Sequence, residues 1–135
     1  MAGMTIQERI ESSLARSEAM VFLRSEFDRF GGYDQVGRAL RAIVAKGLLV
    51  RAGYGIYAKA RKSSLTGNPV PVVPLVEVGL AALSKLGVDA GVGPAAKAYR
   101  DGRSTQMPMR DVVSVGGSRV TRRIGFGGKV VRYER

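Results

Sequence analysis

The stretch from Tyr33 to Lys59 constrains the fold more than any other part of this sequence. Four apolar residues in its first half recur at helical spacing and predict a buried stripe on one amphipathic helix: Val36, Leu40, Ile43 and Val44. Gly47 stands where such a helix needs a left-handed terminator. Two short predicted strands, 48–51 and 56–59, then flank a tight glycine-rich turn. Helix, glycine, strand, turn and strand is the order of elements in the second half of a winged helix-turn-helix.

The residues before this stretch supply the other elements of that fold. Thr5 and Glu8 have the spacing of a capping box at the start of a first helix. A short apolar run at 21–23 predicts a strand, and residues 26–30 predict a second helix with Ser25 as its cap. Gly31-Gly32 ends that helix and allows the backbone geometry of the turn that follows. We therefore predict a complete winged helix-turn-helix in the N-terminal part of the chain.

Composition changes after Ala60 and indicates a domain boundary. The segment 61–74 contains three of the five prolines, together with Ser, Gly and Asn. It retains few backbone donors for a strand ladder, so it is predicted to be an extended linker or an edge segment. The fold class expected for the whole chain is α+β, with a winged helix-turn-helix domain at 1–60, a Pro-rich linker at 61–74 and a basic α+β domain at 75–135.

The predicted C-terminal domain combines one or two helices with an antiparallel sheet. Its first helix is expected to start at Pro74, with Gly87 as its terminator. Period-two alternation then predicts four strands, at 104–107, 111–115, 118–124 and 129–133. Gly116-Gly117 between two of them is a hairpin signal. Arg119 and Arg123 share one face of the third strand, so one side of this sheet is expected to be rich in arginine.

A glycine-rich phrase at 125–129 invites comparison with a phosphate-binding loop. It lacks the four-residue spacing before Gly-Lys, the Ser or Thr that should follow, and a helix start behind it. We interpret it as a turn between two strands.

Charge points to a polyanionic partner. The 135 residues carry a net charge of +11 and the sequence pI is about 10.7, and a field of this size concentrates nucleic acid around a protein. Residues 1–60 contribute +3 and residues 61–135 contribute +8, so the C-terminal half either extends a nucleic-acid footprint or faces an acidic partner. An anionic membrane surface is a further alternative. No apolar run approaches the roughly 18 residues of a membrane span, and the N-terminus leads directly into a polar helix, so we expect a cytoplasmic protein.

The exposed side of the third helix is the predicted DNA-reading surface. Arginine offers a bidentate fork for guanine and glutamine offers one for adenine, so Gln35, Arg38 and Arg41 are candidate base contacts in a major groove. Asp34 is interpreted as a helix cap or a first-turn charge. Other candidate DNA contacts are Arg24, Ser25, Tyr33, Lys46, Arg51, Tyr54 and Lys59. Tyr54 at the hairpin tip either enters a minor groove or covers the hairpin. Candidate contacts to nucleic acid or a partner in the C-terminal half are Arg103, Arg119, Arg122, Arg123, Lys129 and Arg132.

The composition of the sequence gives little support for enzyme activity. The sequence has no cysteine and no histidine, which removes a thiol nucleophile, a histidine base and all metal ligands other than carboxylates. None of the eleven carboxylates pairs with another on one face beside a helper group. We expect neither enzyme activity nor a cofactor or metal.

Several phrases of this sequence resemble the AbiE-type, or type IV, antitoxin family. The N-terminal winged helix of that family is similar to VFLRS at 21–25, GYDQVGRAL at 32–40, and GLLVR and GYGIY within 47–57, and the tail with GRSTQMP at 102–108 is similar to the second domain of its short members. The resemblance implies a bacterial, nucleoid-associated repressor that binds promoter repeats of its own operon. It also implies a C-terminal domain that neutralises a nucleotidyltransferase toxin of a toxin-antitoxin system, without requiring a stable complex.

Two other hypotheses stay open from the sequence. In the first, the arginine-rich C-terminal sheet docks on an acidic protein and nucleic-acid binding is incidental. In the second, the chain binds RNA, which is weaker because Phe126 and Tyr133 are the only stacking aromatics of the C-terminal strands.

Overall fold

Helices and strands both occur within the described residues, and most strand pairs are antiparallel, which confirms the predicted α+β class. The computed structural model describes residues 3–92 and 112–134 and divides into two units, Met1–Val72 and Val73–Arg135. Within the described residues no helix combines the length and the apolar composition needed to cross a membrane.

The first unit combines helices with a small sheet. Its elements are α1 (Ile6–Arg16), β1 (Val21–Leu23), a 3-10 helix (Arg24–Phe30), α2 (Tyr33–Ala45), β2 (Leu49–Gly53), β3 (Ile56–Lys62) and β4 (Pro69–Pro71). β3 is the central strand, because β1 and β2 both pair with it in antiparallel register. The turn between β2 and β3 makes the hairpin that the sequence predicted, with Gly55 at a φ of +68°.

The core of this unit lies between the helices and one face of the sheet. α2 contributes Val36, Leu40 and Ile43, each at most 1% exposed, and the predicted stripe is therefore confirmed. The cluster is completed by residues of α1, β1, the 3-10 helix and β2: Ile10, Leu14, Phe22, Phe27 and Leu49. Burying one face of α2 in this way holds its opposite face toward solvent.

The start of α1 and the end of α2 follow the predicted chemistry. The capping box of α1 is confirmed, because the Thr5 hydroxyl accepts from Glu8 N and Glu8 Oε1 accepts from Thr5 N, each at 3.1 Å. Gly47 follows α2 with a φ of +81°, as predicted. Ser25, in contrast, does not cap the second helix.

The second helix differs from the prediction in its cap, and the start of α2 decides between the two interpretations of Asp34. The second helix is a 3-10 helix that already begins at Arg24, and the Glu26 carboxylate accepts from Leu23 N at 2.7 Å. α2 begins after Gly32, whose N–H donates to Gln35 Oε1 at 3.3 Å. Asp34 is therefore the first-turn charge and not the cap.

The segment predicted as a Pro-rich linker at 61–74 belongs mainly to the first unit. β3 extends to Lys62, and β4 pairs with it in the register Ala60↔Pro71 to Lys62↔Pro69. Of the two predicted forms, linker or edge segment, the observed one is the edge strand, and the unit boundary falls after Val72. Prolines fit here because an edge strand needs backbone donors on one side only.

The second unit is a helix with short strands. Its described elements are α3 (Leu75–Lys85), β5 (Gly91–Val92), β6 (Val112–Ser114), β7 (Gly125–Phe126), β8 (Lys129–Val130) and β9 (Arg132–Glu134). α3 begins after Pro74 and is followed by Gly87 at a φ of +82°, as predicted. Val131 packs against Gly79 of α3, where an added Cβ would lie 3.0 Å from its Cγ2. Ile124, Val113 and Leu83 are fully buried.

The predicted antiparallel sheet of the second unit needs two corrections. β5 and β6 are antiparallel, but β6 pairs with β9 in parallel, so the sheet is mixed. Residues 118–124 form no strand, and Gly116-Gly117 makes a turn without the predicted hairpin. The expected arginine-rich sheet face is therefore absent from this described segment. The phrase 125–129 is the β7–β8 turn that the sequence analysis favoured. The strand predicted at 104–107 lies outside the described residues.

Candidate nucleic-acid interface

The outer face of α2 carries the basic residues that the sequence analysis selected. Gln35, Arg38 and Arg41 are all exposed, while the residues between them on the inner face are buried. Neither Arg38 nor Arg41 forms an ion pair with a described carboxylate. These two guanidiniums can therefore meet an external anion without first breaking an internal salt bridge. The Gln35 side chain already makes one hydrogen bond within the protein, because its Oε1 accepts from Gly32 N at the start of α2.

Arg24 is fixed at the junction of the 3-10 helix, α2 and the hairpin. Its guanidinium carbon lies 3.6 Å from the centre of the Tyr33 ring, and its Nη2 donates to Tyr33 O at 2.5 Å. Its backbone N–H donates to Gly55 O in the hairpin turn at 2.8 Å. Gly37 makes room for this side chain, because an added Cβ would lie 3.0 Å from Arg24 Nη2. The stacked arginine thus links the 3-10 helix to α2 and to the hairpin.

A cleft of about 360 Å³ opens between these three elements. α2 presents one residue per turn to it, at spacing i, i+4 and i+8: Tyr33, Gly37 and Arg41. The 3-10 helix lines it with Arg24, Ser25 and Asp28, and the hairpin with Arg51, Tyr54, Gly55 and Tyr57. Three guanidiniums face one carboxylate, so the cleft is positively charged. Below we call this cavity the tyrosine-arginine cleft.

A second depression of about 310 Å³ shares part of its lining with the first. It shares Arg24, Tyr33, Gly37 and Arg41 with the tyrosine-arginine cleft and adds Asp34 and Arg38. The two depressions give this side of α2 a continuous basic surface from the helix start to the hairpin. Backbone phosphates are the natural counterparts of such a surface.

Two of the predicted DNA contacts also have hydrogen-bond acceptors within the fold. Lys46 pairs with Glu11 of α1 at 2.6 Å, and this ammonium lowers the pKa of the Glu11 carboxyl below its usual value. Lys59 donates from Nζ to Ser17 O, just beyond the end of α1, at 2.5 Å. Both ammonium groups therefore have acceptors within the protein, unlike Arg38 and Arg41.

The remaining predicted contacts divide by position. Arg24, Ser25, Tyr33, Arg41, Arg51 and Tyr54 are brought together around the tyrosine-arginine cleft. In the second unit Arg119, Arg122 and Arg123 lie in the segment without strands, Lys129 lies in β8 and Arg132 in β9, all exposed, while Arg103 lies outside the described residues. Tyr133, considered for base stacking, is half-buried and donates from its hydroxyl to Arg122 O; burial raises its pKa.

Sequence reasoning missed Asp28, Gly37 and Tyr57 as lining residues of the cleft. The signal for Gly37 was available, because this glycine lies one turn after Tyr33 and one turn before Arg41, two residues that the sequence analysis selected as candidate DNA contacts. Asp28 and Tyr57 could not be assigned, since their proximity depends on how the 3-10 helix and the hairpin pack against α2.

The geometry defines an α+β protein whose N-terminal unit has an exposed basic helix face beside a basic cleft. Within the described part of the chain, no three acidic, histidine or cysteine side chains come together as metal ligands would. The chain belongs to a family of unknown function, DUF6088, whose model matches residues 5–135. Neither the curated proteins nor the solved structures include a significant match to it.

Proposed function

We propose that this chain is a sequence-specific DNA-binding repressor of antitoxin type whose N-terminal unit acts as a winged helix-turn-helix. In this proposal α2 is the recognition helix, the β2–β3 hairpin is the wing, and the protein represses its own operon. The order helix, strand, helix, helix and hairpin, with β1 paired to β3, agrees with that arrangement. The N-terminal unit carries a net charge of +5 and the second unit +6, so both favour approach to DNA.

One observation carries the proposal: Arg38 and Arg41 are exposed and free of described carboxylates on a helix whose other face is locked into the core. A helix of 13 residues is about 20 Å long, which suits insertion into a major groove. Bidentate contact from either guanidinium to guanine O6 and N7 would supply sequence preference. A bidentate contact from Gln35 to adenine would require its Oε1 to release the backbone at the helix start.

The cleft and the hairpin would supply phosphate contacts beside the recognition helix. Arg51 is exposed on β2, and Tyr54 is 76% exposed at the hairpin tip. Phosphate contacts fix the register of a protein on the duplex, while base contacts choose the sequence. Neutralisation of a nucleotidyltransferase toxin by the second unit rests on the family resemblance alone. An adjacent reading frame for such an enzyme, and rescue of cells that express it, would test that part.

The DNA-binding proposal is tested by titrating the full chain with the duplex upstream of its own reading frame and with a scrambled duplex, at several salt concentrations. We expect preference for the upstream duplex and a steep fall in affinity with salt. Arg38→Ala should weaken specific binding by about 1–3 kcal/mol and relax the preference. The matched control is Lys46→Ala, which removes an equal charge near the other end of α2, where Glu11 already engages it.

Two results would overturn the proposal. Salt-sensitive binding without preference for any sequence would favour the acidic-partner hypothesis. Full retention of specific affinity in both Arg38→Ala and Arg41→Ala would show that α2 does not face the DNA.

A further inference from the structure

The tyrosine-arginine cleft has more structure than a recognition helix and a wing require. Of the three proposed base-reading residues, Gln35 and Arg38 do not line it, whereas Arg41 does. Its volume of about 360 Å³ lies within the usual range of small-molecule sites, about 300–1,000 Å³. An aromatic and cationic cavity of this size calls for a ligand of matching chemistry.

Two of the residues that line the cleft, Gly37 and Gly55, have no side chain, so backbone atoms form part of its wall. A Cβ at Gly37 would press on Arg24 Nη2, and Gly55 has a φ of +68°, a conformation that disfavours other residues. Arg24 is held over Tyr33 by stacking and by its bond to the backbone carbonyl. Its Nε is buried and meets no acceptor among the described residues. The fixed guanidinium is thus incompletely satisfied at the edge of an open cavity.

The rim supplies two further guanidiniums and three phenol rings. Arg41 and Arg51 are exposed and line the cleft from two different elements, α2 and β2. The planar guanidinium fork matches the oxygens of a phosphate group. Tyr33, Tyr54 and Tyr57 line the same cavity, and tyrosine rings stack on nucleobases of any sequence. Asp28 is the one carboxylate among the lining residues and leaves the cleft with an excess of positive charge.

We propose that the tyrosine-arginine cleft binds a single nucleotide unit, with the phosphate held by Arg41 and Arg51 and the base packed on the tyrosines. The unit can come from two sources, a free nucleoside monophosphate or one nucleotide of a nucleic-acid strand. The inference does not depend on groove reading by Arg38. A chain that recognised no promoter would still have this site.

Isothermal titration of the full chain at low salt tests the site with inorganic phosphate, adenosine and AMP. We expect AMP to bind at least tenfold more tightly than either part, because only the nucleotide engages the arginines and the rings together. Arg51→Gln should weaken AMP binding by at least tenfold, and Tyr54→Leu by more than Tyr54→Phe. Arg38→Gln is the matched control, since this arginine lies on the same helix outside the cleft, and it should change AMP affinity by less than twofold.

AMP that binds no better than inorganic phosphate, or an equal loss in Arg38→Gln and Arg51→Gln, would overturn the proposal. A single-stranded oligonucleotide that binds more than tenfold tighter than AMP, with the same dependence on Arg51, identifies a strand as the source of the unit; equal affinities identify the free nucleotide. The two proposals fail separately. AMP binding without promoter preference would retain the cleft and remove the repressor, whereas promoter binding that depends on Arg38 without AMP binding would do the reverse.

Discussion

The two flanks of α2 in the first unit are both basic, but they use their charge differently. On the flank toward α1, each basic side chain meets an acceptor of the protein itself: Arg9 donates to Phe30 O, Arg29 to Ser13 Oγ, Lys46 to Glu11 and Lys59 to Ser17 O. On the flank toward the hairpin, Arg24 donates to Tyr33 O in the same way. Arg38 and Arg41, however, donate to no described acceptor, and Arg51 reaches only the nearby Gly53 O at 3.3 Å.

This difference shows that the number of positive charges does not by itself locate an interface. A cation that already holds a carbonyl or carboxylate must give up that contact before it can bind an external anion. A cation in water gives up only its hydration. The hairpin flank is therefore the better candidate for binding a polyanion. The basic side chains of the α1 flank instead connect elements of the fold to one another, and below we call these internal contacts ties.

The largest expected effect is on stability, and it distinguishes the buried face of α2 from its exposed face. Ile43→Ala should lower the free energy of unfolding by about 2–5 kcal/mol, because Ile43 is fully buried and its truncation leaves a cavity in the core. Arg38→Ala on the opposite face of the same helix should change it by no more than about 0.5 kcal/mol. Urea denaturation followed by circular dichroism measures both. A large loss for Arg38→Ala would mean that the outer face of α2 has a structural role.

The next prediction compares one cation from each flank. Lys59→Met should cost about 1.5–3 kcal/mol of stability, because it removes a charge-assisted hydrogen bond to Ser17 O from a half-buried ammonium. It should leave the salt dependence of DNA binding nearly unchanged. Arg51→Met should do the opposite, with little effect on stability and a decrease of about one in the salt slope.

These two variants are informative together. Both remove one positive charge from adjacent strands, so general electrostatic attraction changes equally. Equal losses of DNA affinity in Lys59→Met and Arg51→Met would show that the two flanks do not differ in function. The distinction between a lysine that serves the fold and an arginine that contacts DNA would then be wrong.

The sequence predicted the core and the helix ends of the first unit well, but it did not predict the internal partners of Lys46 and Lys59. The stripe from Val36 to Ile43, the capping box and the role of Gly47 depend on local periodicity and backbone geometry, which a sequence displays directly. The partners of Lys46 and Lys59 lie 35 and 42 residues away, so no local pattern could reveal them. Both lysines were predicted as phosphate contacts because they are basic and close to α2 or the hairpin.

The second unit was harder to predict for a related reason. Residues 118–124 alternate as a strand would, but alternation needs a partner strand to become a ladder, and the strand that pairs with β6 is instead β9, in parallel. Parallel pairing joins residues far apart in sequence and has no hairpin signal. The cleft was likewise hidden: several of its residues were selected singly, but their convergence follows from the packing of three elements.

A third prediction concerns the stacked arginine of the hairpin flank. Tyr33→Leu removes the ring beneath the Arg24 guanidinium and should lower stability by about 0.5–1 kcal/mol, the usual range for such a contact at an exposed site. Tyr33→Phe keeps a ring, and the bond from Arg24 to the backbone carbonyl is available in both variants, so the phenylalanine variant should match the wild type. Thermal unfolding of the three proteins provides the comparison. A loss in Tyr33→Phe as large as in Tyr33→Leu would indicate that the phenol hydroxyl matters more than the ring.

The smallest effect is expected at the exposed tie between Lys46 and Glu11. Its contribution should be about 0.2–1 kcal/mol at low salt and should shrink as salt is added, because the Lys46 side chain is 52% exposed. The hydrogen bond from Lys46 is the main cause of the lowered Glu11 pKa, and burial of the carboxyl opposes it. A double-mutant cycle of Glu11→Gln and Lys46→Met isolates the pair from its neighbours, including the bond from Gln7 to the same carboxylate at 3.0 Å.

The pH dependence of that cycle gives the sharpest test of the tie. A carboxyl whose pKa is lower in the folded than in the unfolded state stabilises the fold at every pH above its unfolded pKa. That stabilisation disappears as the pH falls through the lowered folded pKa, where Glu11 takes up a proton and no longer accepts as an anion. The coupling energy should therefore be constant near neutrality and vanish in acid. A coupling energy that persisted in acid would have to come from packing of the two side chains, and Lys46 would then return to the set of cations available to DNA.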